Sequence, residues 1–234
     1  MKTIGLLGGT SWVSTIDYYR YINQFTNEKL GGDNFARCII YSLNYGDIIE
    51  KNKSNDLEGL LTILTDACTK LQAGGAEAII LCANTMHRFA DQLQSKIDLP
   101  FVHVAIATAT EIKKQNLRKV ALLGTKYTME LDFFKDKLAE QGIETIIPEA
   151  ADRDFIHASI FEELGHNIFK PQTKARYKTI INRLAEAGAQ GVILGCTEIP
   201  LIIKQEDSLL PVFDTALIHS RAAVEFALNQ NMER

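Results

Sequence analysis

The chain alternates short, unbroken apolar runs with longer stretches that carry apolar residues at helical spacing. The runs are Ile4-Gly5-Leu6-Leu7, Ala78-Ile79-Ile80-Leu81, Val120-Ala121-Leu122-Leu123 and Val192-Ile193-Leu194. Runs this short and continuous predict strands of a parallel sheet covered on both faces, where no solvent face demands alternation. Between them, residues 14–30, 57–73, 85–97, 107–115, 130–141, 158–164, 173–187 and 216–228 read as helices. Ser14 or Thr15 is the expected first cap, and Gly31-Gly32, Gly74-Gly75 and Gly142 the expected stops. Residues 36–43, 101–104, 144–147 and 212–213 read as further strands, and the polar stretch 44–55 as a loop or short helix over a site. Strand and helix in alternation predict a doubly wound parallel α/β architecture.

The same pattern occurs twice. Ile4-Gly5-Leu6-Leu7-Gly8 matches Val120-Ala121-Leu122-Leu123-Gly124, and Gly75-Ala76 to Leu81 matches Gly188-Ala189 to Leu194. Leu99-Pro100-Phe101-Val102 matches Leu210-Pro211-Val212-Phe213. Three matches in one order, at offsets of 111 to 116 positions, indicate an internal duplication. The expectation is two similar lobes related by a pseudo-two-fold axis. Residues 1–97 with 208–234 form one and carry Cys82; residues 98–207 form the other and carry Cys196. Parallel sheets bind ligands at the carboxyl ends of their strands. Both cysteines are therefore expected to open onto a cleft between the lobes.

Composition narrows the function classes. The chain has 234 residues, 46% apolar and 23% charged, with a net charge of −4. That balance gives no electrostatic footprint for nucleic acid. No stretch is long and apolar enough to span a bilayer, and Gly8-Gly9-Thr10-Ser11 interrupts the first apolar run before a secretory leader forms. A cytosolic location with reduced thiols is expected. The four cysteines, Cys38, Cys68, Cys82 and Cys196, show neither Cys-x-x-Cys nor zinc spacing, so they are structural or catalytic.

Two thiols on opposite walls of one cleft suit inversion at a carbon. One thiolate removes a proton and the opposite thiol returns one to the other face. The carbanion then needs fixed donors in a closed site, and a thiolate needs its pKa lowered. Asn84, Thr85, Thr197 and the backbone N–H groups after each cysteine could supply both.

Gly5-Leu6-Leu7-Gly8-Gly9-Thr10-Ser11-Trp12, Cys82-Ala83-Asn84-Thr85-Met86-His87 and Gly195-Cys196-Thr197-Glu198-Ile199 together resemble the cofactor-independent aspartate/glutamate racemase family, nearest its aspartate racemase branch. The resemblance runs over essentially the whole chain. It implies two α/β lobes, an acidic amino-acid substrate, no metal, no pyridoxal phosphate and commonly a homodimer. It implies Cys82 and Cys196 as the acid/base pair, with Asn84, Thr85 and Thr197 on the α-carboxylate. Thr10, Ser11, Ala83, Thr125 and Glu198 complete the expected substrate site. Lys170 stands where some relatives carry a lysine for the side-chain carboxylate, and Lys51 or Lys53 could stand in for an arginine found in others near position 48. Thr10 and Val13 replace the methionine and glutamate usual in the family's first motif.

Blander readings stand beside these. Cys38 and Cys68 read as small core hydrophobes. His87 reads equally as a residue tuning Cys82 or as a packing residue, and His103, His157, His166 and His219 as structural or solvated. Glu198 could poise Cys196, although a carboxylate raises a neighbouring thiol pKa. The rival functions are another reaction on the same scaffold, of the hydantoin racemase, maleate isomerase or arylmalonate decarboxylase type, and a non-catalytic protein that binds an acidic ligand.

Overall fold

The computed structural model describes residues 1–229. The chain divides into two compact units, Met1–His103 with the chain from His219 onward, and Val104–Ile218. Residues 230–234, expected in the first lobe, lie outside the described residues.

The first unit runs β1 (Ile4–Gly8), α1 (Trp12–Leu30), β2 (Cys38–Ser42), α2 (Tyr45–Lys53), α3 (Leu57–Ala73), β3 (Ala78–Leu81) and α4 (Ala90–Gln94). Its sheet has the order β2-β1-β3, all parallel, with Leu6 opposite Ile40 and Ile80. β1 and β3 are buried along their whole length, which accounts for their unbroken apolar sequence. Helix α3 buries Leu60, Leu64, Ala67, Cys68 and Leu71, spaced three and four apart, against Ile79 and Leu81. Each such leucine contributes roughly 2 kcal/mol by leaving water. Cys68 is one more core side chain here, its thiol pushed by burial up to about 12, and burial pushes the Cys38 thiol up to about 11.

The second unit runs α5 (Val104–Lys114), β4 (Lys119–Gly124), α6 (Lys126–Glu130), α7 (Asp132–Ala139), β5 (Glu144–Ile146), α8 (Ala150–Glu162), α9 (Pro171–Glu186), β6 (Val192–Gly195) and β7 (Val212–Asp214). The strand order is β5-β4-β6-β7, again parallel. Successive residues of β4 point to opposite faces. Ala121 and Leu123 join one core with Ile156 and Ile180; Val120 and Leu122 join another with Ile112 and Phe134. The last helix, α10 (Thr215–Leu228), begins in this unit and continues in the first, where Lys2 N donates to Ala227 O at 2.8 Å.

The duplication read from the sequence reappears in the backbone. Gly75 and Gly188 have φ of 94° and 93°, and each ends a helix in the same way. Ala76 N donates to Leu71 O, and Ala189 N to Leu184 O, both at 3.0 Å. Glycine is needed at that sign of φ, where a Cβ is strained. Ile79 N donates to Pro100 O and Val192 N to Pro211 O, both at 2.9 Å.

Several boundaries differ from expectation. The units divide at 103/104 and 218/219 rather than at 97/98 and 207/208. Phe101 bridges Ile79, which holds 98–103 in the first unit, while β7 pairs with β6 and holds 208–214 in the second. Residues 101–104 form that bridge instead of a strand, because Val104 already opens α5. Helix α1 starts at Trp12, capped by Ser11 rather than Ser14 or Thr15. The helix expected at 85–97 is a 3-10 turn, Asn84–Phe89, followed by α4. Its Ala83 cap offers no side-chain acceptor, and Met86 N bonds three residues back to Ala83 O, so the chain tightens. The helix expected at 130–141 breaks at Leu131, whose ψ of 156° is extended, into α6 and α7.

Candidate active site

Three turns gather at the carboxyl edge of the first sheet. After β1, Gly9 turns the chain at φ 89°, its N–H bound by Thr15 Oγ1 at 2.9 Å. A Cβ on Gly9 would lie 2.2 Å from Leu43 O, so this residue and the end of β2 are in close approach. Thr10 and Ser11 follow, with Ser11 capping α1 through Ser14 N. After β3, Cys82 N donates to Leu7 O at 2.9 Å, extending the ladder one residue beyond the strand. That bond fixes Cys82, which is buried, beside the turn that carries Thr10 and Ser11. Ala83 is extended and leads into the 3-10 turn bearing Asn84, Thr85 and His87. Burial pushes the Cys82 thiol well up, and Cys38 adds a smaller push in the same direction. After β2, α2 carries Lys51 and Lys53. Lys51 Nζ pairs with Asp56 Oδ2 at 2.7 Å, and Lys53 is exposed.

Around His87, in the turn that follows Cys82, lies a layer of histidines that no periodicity in the sequence reveals. His87, His103 and His219 are all buried. The His87 ring packs edge-on to His103 and His219, with centroids 4.6 and 5.2 Å away. His219 Nε2 faces Val102 O at 2.6 Å. A carbonyl only accepts, so Nε2 carries the hydrogen and Nδ1 accepts from the Tyr18 hydroxyl at 2.9 Å. By the same reasoning His87 Nε2 donates to Leu81 O at 3.3 Å, the residue before Cys82, and its Nδ1 is buried with no hydrogen-bond partner among the described residues. His103 and His219 are thus buried rather than solvated, and both pack against His87 in the turn that follows Cys82. The described residues contain no group of three or more His, Cys, Asp or Glu side chains able to hold a metal ion.

Burial lowers the His219 pKa to about 4, and burial with the two neighbouring rings holds His87 well below its ordinary value. Unfolded histidine takes up its proton near 6.5. As pH falls below that value the unfolded chain binds protons that the folded chain refuses, so stability declines. We expect the urea midpoint to fall between about pH 6.5 and 4 and the His219 contribution to level off below 4. A His219→Gln variant should show a shallower decline over that window; an identical slope would remove the histidine layer as its cause.

In the second unit Thr125 follows β4 and caps α6, its Oγ1 accepting from Thr128 N at 3.3 Å. Beside it, β6 leads straight into Cys196, Thr197 and Glu198. Cys196 is partly exposed and packed against the core that contains Tyr177. Its Sγ donates to Glu198 Oε2 at 2.8 Å, and Thr197 Oγ1 donates to the same oxygen at 2.9 Å. Burial and the Glu198 carboxylate push the Cys196 thiol well above its ordinary value. Lys170, exposed at the start of α9, pairs with Glu163 Oε1 at 3.0 Å. Within each unit, then, the cysteine and the small polar residues are brought together, while Lys51 and Lys170 are each held by a carboxylate of their own unit.

Two parallel α/β units are the fold of the aspartate and glutamate racemases. The Picrophilus torridus aspartate racemase shares it with a TM-score of 0.79 at 22% identity, covering 97% of this chain and 94% of that one. The chain belongs to the Asp/Glu/hydantoin racemase family, whose model matches residues 7–223, and it is an enzyme of the amino-acid racemase class. An aspartate racemase homologue from Pyrococcus horikoshii OT3 is 39% identical, with a TM-score of 0.87, over 98% of this chain and all (100%) of that one. A Yersinia pestis protein provisionally named an Asp/Glu racemase is 43% identical, with a TM-score of 0.94, over 98% and 100%. A broad specificity amino-acid racemase of Bacillus subtilis (strain 168) is 23% identical over 231 residues, 94% of this chain and 96% of the relative.

Proposed function

We propose that this racemase interconverts L- and D-aspartate, with glutamate as a second substrate, through Cys82 and Cys196 and without a cofactor. The observation that carries the reading is the equivalent placement of the two cysteines, directly after β3 and directly after β6, each followed by small polar residues. Inversion needs a base on one face of the α-carbon and an acid on the other. One cysteine as thiolate takes the α-proton, leaving a carbanion; the other, as thiol, gives its proton to the opposite face. The reverse reaction exchanges the roles.

Burial raises both thiols in the unliganded chain, and at Cys196 the Glu198 carboxylate adds to it. The substrate's α-ammonium offsets that cost when it binds, since a nearby positive charge favours the thiolate. Asn84 and Thr85 hold the α-carboxylate, joined by Thr197 once its hydroxyl turns from Glu198, with Thr10, Ser11, Ala83 and Thr125 lining the same turns. Lys51, Lys53 and Lys170 are the cations offered to the side-chain carboxylate. Lys170 is exposed and Lys51 partly so, and ion pairs open to solvent are weak enough to be exchanged for a substrate carboxylate.

Chiral chromatography after incubation with each enantiomer of aspartate and of glutamate tests this directly. We expect both aspartate enantiomers to converge on the racemate and glutamate to follow more slowly. If neither amino acid inverts, the substrate reading is wrong.

A further inference from the structure

Inversion requires one thiol that holds its proton and one that gives its proton up, and the surroundings of Cys82 and Cys196 are not alike. Around Cys82, burial and then Cys38 raise the thiol. Around Cys196 the structure records an acidic partner placed by the backbone. The Cys196-Thr197-Glu198-Ile199-Pro200 segment leaves β6 and enters a 3-10 turn, Ile199–Leu201. Pro200 fits the second position of that turn, still within the first turn, where its missing N–H leaves no bond unmade. Ile199 is wholly buried and anchors the turn, and its N–H returns to Cys196 O at 3.3 Å. Glu198, between these anchors, has one carboxylate oxygen facing both Sγ of Cys196 and Oγ1 of Thr197.

We propose that Glu198 is a positioning residue that keeps Cys196 in its protonated, proton-donating form, so that the unliganded enzyme rests with Cys196 as the acid. This rests on the reading of Cys196 as one of the two proton-transfer groups. A carboxylate accepts hydrogen bonds and cannot donate them. With a thiol opposite it, the contact is an S–H···O bond; with a thiolate opposite it, two negative charges face each other at 2.8 Å. When Cys196 gives its proton to the carbanion, the same oxygen can accept a proton from solvent and then donate to the thiolate. The pair thus carries one proton and one negative charge before and after that uptake is complete. The geometry also reassigns Glu198 from substrate contact to Cys196, and it makes Thr197 the second donor that steadies the carboxylate.

The other elements packed here place one more titratable group near the sulfur. Tyr177 of α9 is wholly buried, its hydroxyl engaged by Ser159 Oγ of α8 at 2.9 Å, and Cys196, Glu163 and Glu198 act on it electrostatically. Burial holds that phenol neutral, so it does not compete for the proton. Glu163 is occupied by Lys170 and Thr173.

The test is alkylation by iodoacetamide across a pH series, with Cys196 resolved by peptide mass spectrometry, in wild type, Glu198→Gln and Thr197→Val. Removing the negative charge should lower the Cys196 midpoint by about one pH unit. Thr197→Val keeps the charge and frees it for Cys196 alone, so its midpoint should stay or rise. A Glu198→Gln midpoint at or above wild type overturns the assignment, and so does an equal fall in both variants, which would mark a loosened turn rather than a lost charge. Racemisation measured alongside separates the two readings. In Glu198→Gln the alkaline limb of the rate profile should move to lower pH with the midpoint. Wild-type racemisation without a midpoint shift defeats this assignment alone. A midpoint shift in a protein that inverts neither amino acid upholds it and defeats the function.

Discussion

Replacing Cys82 with serine should lower racemisation in both directions by about 10³-fold or more, with the far-ultraviolet circular dichroism unchanged. A positioned acid or base typically contributes 10²- to 10⁴-fold. Serine keeps the shape, but its hydroxyl is far too weak an acid to supply the base form. The side chain is buried at the end of a β ladder, so the substitution exchanges a sulfur for a smaller polar atom without disturbing the backbone bond to Leu7. Cys196→Ser should lose as much. The two variants differ in what they retain. In heavy water each keeps one base, and that base reaches one face of the α-carbon. Cys196→Ser should therefore exchange the α-proton of one enantiomer without inverting it, and Cys82→Ser that of the other. Near-wild-type racemisation in either variant, or equal exchange of both enantiomers in a single variant, would sink the two-thiol mechanism.

The largest effect on stability should come from a residue with no side chain. Gly9 carries a positive φ of 89°, and an added Cβ would meet Leu43 O at 2.2 Å and Leu43 N at 2.3 Å. Both obstacles are backbone, pinned by the bond from Leu43 N to Gly8 O at 3.0 Å, so neither can swing aside. The conformational strain alone costs about 1–3 kcal/mol, and the overlap adds to it. We expect Gly9→Ala to cost about 3 kcal/mol or more in urea unfolding and to displace Thr10 and Ser11 from the sheet edge. Gly31→Ala is the control. It has a comparable φ of 70° with nothing within 4 Å of the added atom, so it bears the strain without the overlap and should cost about 1 kcal/mol. Equal losses in the two variants would show that the approach to Leu43 is not what fixes glycine at position 9.

Much of this architecture could be read from the chain because its signals are local. An apolar run such as Ala78-Ile79-Ile80-Leu81 has one economical use, as a strand covered on both faces, and its copy at Val192-Ile193-Leu194 repeats the message. The cysteine turns were legible for the same reason, since the residues after each strand end are neighbours in sequence as well as in space. Features made by long-range packing were not legible. His103 and His219 each sit among apolar neighbours with nothing to mark them. Their partnership with His87 comes from the turn after β3, the segment after Phe101 and α10 arriving at one place. Glu198 was visible but not its direction; a carboxylate two residues from a thiol can point toward it or away, and the 3-10 turn decides. Lys51 and Lys170 were legible as charges, but the carboxylates of Asp56 and Glu163 that hold them belong to folded geometry.

The first unit is discontinuous in sequence and the second is not. On the ribosome this sets an order of completion. The strands β1 to β3 emerge first, yet His219, which ties Tyr18 to Val102, and Ala227, which receives the Lys2 amide, are among the last described residues to be made. Residues 104–218 can close their own sheet while the earlier segment still waits for its final helix. A ribosome stalled just after Ile218, one turn into α10, would carry a complete second unit behind an open first one, with Cys82 in the part that is still open.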